Sequence, residues 1–206
     1  MRRGYDAVSY LYRGDDDEDL SRRAWVEALV RRMPSGARVL DLGCGCGVPV
    51  ARDLAAAGLA VTGVDLSDVQ VERARALVPD ATFVRADATD PRQVSFPDGS
   101  FDAVICLYML IHVPLAEQPS LITRIASWLA PGGILLLTAG HQAWTGTEEN
   151  WLGGGAPMWW SHAGAATYRR WLGEADLVVE TEEFVPEDGS GHVVFWCRRE
   201  RGLLIP

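Results

Sequence analysis

The chain has 206 residues, a length that suits one domain with its own core. Its apolar content of 48% fits a globular chain, and no apolar run reaches the roughly 18–20 residues that cross a bilayer. The net charge is −9 with no basic stripe, which argues against binding nucleic acid through its phosphates.

The start, "MRRGYDAVSYLYRGDDDED", is basic but lacks the apolar stretch of a secretory leader, so a cytoplasmic chain is expected. The acidic run Asp15–Asp19 reads as a solvated loop that favours the start of the next helix. All 19 basic residues are arginine, and Asn150 is the only asparagine. That bias points to a GC-rich coding sequence and hints at a source rich in specialised metabolism. Cysteines 44, 46, 106 and 197 are expected to be reduced. Cys44-x-Cys46 lacks the second close pair of a structural zinc site, so no metal is expected.

In chain order, residues 20–33 place Leu20, Trp25, Ala28 and Leu29 at helical spacing, and Pro34 and Gly36 stop the helix. "ARVLDLG" predicts a first strand, "VPVARDLAAAG" a helix closed by Gly58, and "LAVTGVDLS" a second strand. Ser67 is the predicted N-cap of the helix "SDVQVERARALVP", with Pro79 just past its end. "ATFVRAD" and "DGSFDAVICLYM" give strands three and four. A helix over 120–129 and the strand "PGGILLLTAG" follow. "AATYRRWLGEAD" reads as a helix, then "LVVETEEFVPE" and "GHVVFWCRR" as a hairpin turning at Asp188-Gly189. Strands alternating with helices call for an α/β chain with a mostly parallel sheet and helices on both faces. The closing hairpin makes one strand antiparallel.

The stretch "VLDLGCGCGVP", residues 39–49, carries the first chemistry. A glycine loop between strand and helix lies where such folds bind ligands, and glycine lets backbone approach the ligand. Thiols, a dinucleotide and S-adenosylmethionine all compete for it. Asp41 opposes a pyrophosphate and suits an ammonium group. Asp65, ending the second strand, suits ribose hydroxyls in either nucleotide reading. Asp87 is placed to accept from an adenine amino group, with the Ala88 N–H offered to a ring nitrogen.

Asp-x-Gly-x-Gly-x-Gly at 41–47, Asp65, Asp87-Ala88, "PDGSFDAVICLYMLIHVP" and "LAPGGILLLT" together resemble the small-molecule branch of the class I S-adenosylmethionine-dependent methyltransferases. The resemblance spans nearly the whole chain; Cys46 and Pro49 are its departures. It implies a three-layer Rossmann-like fold with a seven-stranded sheet in the order 3-2-1-4-5-7-6, the last strand antiparallel. It implies S-adenosylmethionine as cofactor, held by Asp41, Gly43, Cys44, Gly45, Asp65, Leu66, Asp87, Ala88 and Leu107. It also implies that the N-terminal segment, residues 1–33, folds over the cofactor as a lid.

A small-molecule acceptor is the expected partner, with the protein a monomer or homodimer. An acceptor that carries a proton needs a base. His112 follows the fourth strand and has a suitable titration range. His162 and His141 are the alternatives, and the Tyr5 hydroxyl can orient the methyl group or the acceptor. The segment 141–162 is read as an insertion forming the acceptor pocket. Five of the eight tryptophans lie between 144 and 171, so Trp144, Trp159 and Trp160, with Tyr12 and His141, are expected to bind the acceptor. Methyl transfer to oxygen or nitrogen is the leading activity. The other reading is a protein of this fold that keeps the cofactor as a structural element while catalysing another reaction, such as a cyclisation.

Overall fold

Apolar runs set the sheet. β1 (Arg38–Leu42) buries Val39, Leu40 and Leu42 without alternation, as a parallel strand covered on both faces does. The computed structural model describes residues 1–187 and 190–201. Before β1 come α1 (Arg2–Tyr12) and α2 (Leu20–Val30). After it come α3 (Val50–Ala56), β2 (Ala60–Asp65), α4 (Asp68–Leu77), β3 (Thr82–Arg85) and β4 (Phe101–Cys106). A short 3-10 turn at Leu110–His112 leads to α5 (Gln118–Trp128), β5 (Leu129–Gly140), β6 (Trp144–Glu148) and β7 (Met158–His162). The chain continues with α6 (Ala165–Glu174), β8 (Leu177–Glu187) and β9 (Ser190–Arg199).

Seven strands form one sheet in the order β3-β2-β1-β4-β5-β9-β8. Counted along that sheet alone, the order is 3-2-1-4-5-7-6, as expected. The chain numbering differs because β6 and β7 pair separately as a two-stranded sheet. β9 runs antiparallel to both β5 and β8. The turn expected at Asp188-Gly189 lies outside the described residues.

The chain forms two compact units. The first holds residues 1–94 and 147–159. In it β1–β2 and β2–β3 pair in parallel, with α3 against β2 and α4 against β2 and β3. Ser67 caps α4 as predicted, its hydroxyl accepting from the Gln70 N–H at 3.1 Å. α1 lies along α4, held largely by polar groups. Ser9 Oγ donates to Gln70 Oε1, the Ser67 hydroxyl donates to Asp6, and the buried Arg73 guanidinium donates to Ser9 O and Arg13 O. The acidic run does more than face solvent. Asp19 caps α2, Asp15 pairs with Arg73, and Asp17 pairs with Arg13.

The second unit holds residues 95–146 and the described residues from 160 on. β4 and β5 are parallel, α5 packs on β5, and α6 packs on β5 and β8. Gln118, fully buried at the start of α5, is its polar hub. Its Nε2 donates to Leu110 O, Val113 O and Ser161 O, and its Oε1 accepts from the Tyr168 hydroxyl at 2.6 Å. This ties down the turn that carries His112. Gln118→Leu removes these four hydrogen bonds from the interior, and the expected cost is about 2–3 kcal/mol. Urea unfolding measures it; a loss below the error of that measurement means the hub is dispensable.

Candidate active site

In the first unit the strand β1 runs into a loop with Gly43 (φ 73°), Gly45 (φ 55°) and Gly47 (φ 80°), all in the left-handed region. A Cβ added at Gly45 would meet nothing nearer than Gln70 Nε2 at 4.0 Å. The space over that peptide is therefore open, and its backbone can be approached closely. At the end of β2, Asp65 Oδ2 accepts from the Gly45 N–H (2.9 Å) and Oδ1 from the Ser67 N–H (2.8 Å). Two backbone donors thus fix this half-buried carboxylate against the glycine loop. Burial still pushes its pKa up.

Asp41 is 3% exposed, and its Oδ2 has no hydrogen-bond partner. Burial, with the Asp65 charge adding, pushes its carboxyl up to about 7. A buried carboxylate oxygen without a donor is costly. Two carboxylates side by side would repel a pyrophosphate and favour an ammonium group, so the residues fit the amino-acid end and ribose of S-adenosylmethionine. Cys44 is buried, and burial with the two carboxylates holds its thiol protonated. After β3, Asp87 Oδ1 accepts from the Thr89 N–H and hydroxyl, a local turn that orients the carboxylate beside Ala88. Leu66 and Ala88 are half-buried.

The N-terminal helix places Tyr5 near Asp65. Burial first, then Tyr12 and Asp65, raise the Tyr5 pKa well above its ordinary value. Its hydroxyl is therefore a hydrogen-bond donor and not a base. Tyr5, Tyr12 and Trp151 form a ring cluster with centroids 5.4–5.7 Å apart.

In the second unit Leu107 is buried just after β4, and Tyr108 beside it has φ 58°. His112 is half-buried with its ring 5.6 Å from Trp160. Trp160 lies 6.1 Å from Trp144, which lies 6.0 Å from His162. His162 is buried, and burial depresses its pKa, so it is held neutral. Four of the expected residues thus form one chain of rings. His141 is exposed and turns to Phe184 at 4.7 Å. Trp159 is half-buried in β7 and belongs to the first unit, so the segment 141–162 is divided between the two units.

Sequence reasoning missed Trp151 as a partner of Tyr5 and Tyr12, and it missed His192. The ring of His192 lies 6.1 Å from His162 and 5.2 Å from Tyr108. A histidine at the start of an otherwise apolar strand was the available signal.

The methyltransferase domain family matches residues 39–133. The 27-O-demethylrifamycin SV methyltransferase of Amycolatopsis mediterranei is 34% identical over 154 residues, 66% of this chain and 56% of that protein. The chain spans about half the length of the curated relatives it matches. Magnesium protoporphyrin IX methyltransferase from Synechocystis PCC 6803, solved with bound S-adenosylmethionine, superposes with a TM-score of 0.71 at 25% identity. That match covers 96% of this chain and 91% of the other. The cyclase SpnF superposes with a TM-score of 0.73 at 20% identity over 98% of this chain and 95% of its own. At that identity the fold alone is shared, and fold does not fix the reaction. The matched domain, these relatives and the strand order agree with the glycine loop and its carboxylates, and together they support a class I S-adenosylmethionine-dependent methyltransferase.

Proposed function

We propose that this protein transfers a methyl group from S-adenosylmethionine to an oxygen or nitrogen of a small acceptor of specialised metabolism. The observation that carries the reading is the buried Asp41 carboxylate, its Oδ2 without a partner, beside Asp65, itself fixed by the Gly45 N–H. When bound, the cofactor supplies a methyl group made electrophilic by its sulfonium. Asp41 holds the ammonium group, and Asp65 accepts from the ribose hydroxyls. Asp87 and the Ala88 N–H read the adenine edge. The backbone of Gly43, Cys44 and Gly45 lines the amino-acid end, and Leu66 gives apolar contact.

Within the first unit, Tyr5 orients the methyl group by donating its hydroxyl. Within the second, Trp144, Trp160 and His141 bind it, and His112 or His162 takes its proton. A neutral imidazole suits that role, because one of its ring nitrogens can take a proton.

Calorimetry with S-adenosylhomocysteine is expected to give 1:1 binding, and NAD none. Acceptor-dependent formation of S-adenosylhomocysteine from S-adenosylmethionine is then the test of activity. Preferential NAD binding overturns the cofactor reading. Conversion of a substrate with no S-adenosylhomocysteine formed overturns methyl transfer in favour of the cyclase-like reading.

A further inference from the structure

We propose that Glu187 and His192 form a carboxylate–imidazole base in the second unit, flanked by His162 and Thr138, that takes the hydroxyl proton of a planar, phenol-class acceptor. The inference deepens the methyl-transfer reading, puts His192 in place of His112 or His162 as the group that takes the proton, and rests on that reading only for the fate of the ionised acceptor.

His192 Nε2 lies 3.2 Å from Glu187 Oε2. Donating the Nε2 proton to that carboxylate leaves the lone pair on Nδ1. Nδ1 of His192 is buried and has no hydrogen-bond partner. Two further buried side-chain atoms near it share that condition, His162 Nδ1 and Thr138 Oγ1.

The strand register explains why they gather. His192 pairs with Gly140 on β5 and with Val185 on β8. Directly opposed residues share a face of the sheet, and residues two apart along a strand do as well. His192, Thr138 and Glu187 therefore lie on one face, where β5 ends and β9 begins. His162 comes over the same place because residue 140 is glycine. A Cβ there would sit 1.9 Å from His162 Nδ1.

Buried polar atoms almost always have partners, so three orphans on one face ask for a common one. Two are imidazole nitrogens and one is a hydroxyl, a set that receives a hydroxyl proton and hydrogen-bonds the resulting oxygen. Around them the groups are flat: Tyr108 meets His192 edge-on, and Trp144 lies against His162. Flat walls suit an aromatic ring. In the step itself the acceptor O–H bond breaks and the proton goes to Nδ1. The electron pair stays on oxygen, and the imidazolium charge is balanced by Glu187.

The probe is 4-nitrophenol, whose ionised form has its own absorption band, added to the purified protein without methyl donor and buffered on the acid side of its titration. Wild type is expected to bind it and raise the phenolate band. 4-Nitroanisole, which has no proton to give, binds more weakly. His192→Gln binds the phenol but leaves it neutral. Glu187→Gln, a change at an exposed side chain, lowers the phenolate fraction severalfold with an unaltered melting curve. If His192→Gln does not fold, Glu187→Gln decides. Absence of binding, binding of neutral phenol by wild type, or a phenolate band unchanged in the folded variants overturns the proposal. Because no donor is present, these outcomes are separate from failure to form S-adenosylhomocysteine.

Discussion

Asp65→Ala is expected to raise the Kd for S-adenosylhomocysteine by roughly 30- to 1000-fold, equivalent to about 2–4 kcal/mol. The carboxylate is placed to accept from two hydroxyls, and hydrogen bonds to a charged acceptor are the stronger kind. It also orders the loop, since the Gly45 and Ser67 N–H groups both donate to it. Asp65→Asn keeps one acceptor oxygen for that task and should lose less. Titration calorimetry with both variants measures the difference. An unchanged Kd in Asp65→Ala would show that the ribose is held elsewhere.

The largest effect on stability is expected at Asp41. Its carboxyl titrates at about 7 in the fold against an ordinary 3.8, because burial and the Asp65 charge oppose ionisation. A folded pKa above the unfolded one means that the native state holds the proton more tightly. The penalty is absent below the unfolded pKa, grows as pH rises between the two values, and is complete above the folded one. Three units correspond to about 4 kcal/mol. Asp41→Asn should therefore raise the Tm of the ligand-free protein at about pH 8 and leave it near wild type at about pH 4. The same residue should release a proton when a ligand ammonium arrives near neutrality. Calorimetry in buffers of different ionisation enthalpy detects that release, and the Asn variant should lack it. A Tm shift that is the same at both pH values would remove Asp41 as the titrating group.

The sheet and the glycine loop were legible because each rests on short-range signals. Asp41 to Gly47 is one continuous strand end and loop, Ser67 caps its own helix, and β8 and β9 are neighbours in the sequence. The helix α1 was harder to read. Its docking runs through Asp6, Ser9 and Arg73, and of its own residues only Gly4, Val8 and Ser9 are buried, so its packed face carries few large apolar side chains. The acidic run looked solvated for the same reason: its partners Arg13 and Arg73 are apparent only in three dimensions. β6 and β7 are short strands separated by a glycine-rich turn and carry little pattern. His192 meets His162 and Tyr108 through strand register, which no local spacing encodes.

The two ends of the sheet order are β3 and β8. A strand with unpaired backbone groups invites another chain to add to it and so begin an aggregate. β3 offers only four residues. β8 is long and largely exposed, with Phe184 half uncovered, yet it carries Glu180, Glu182, Glu183 and Glu187. Pro186 removes one N–H from its ladder. Arg198 and Arg169 pair with Glu180 and Glu182, so a second copy arriving along β8 would bring Glu183 and Glu187 against their like, in a chain already at −9. The acidic margin thus protects a hairpin that must remain extended, and it should keep the protein dispersed at concentrations where a neutral edge of the same length would stack.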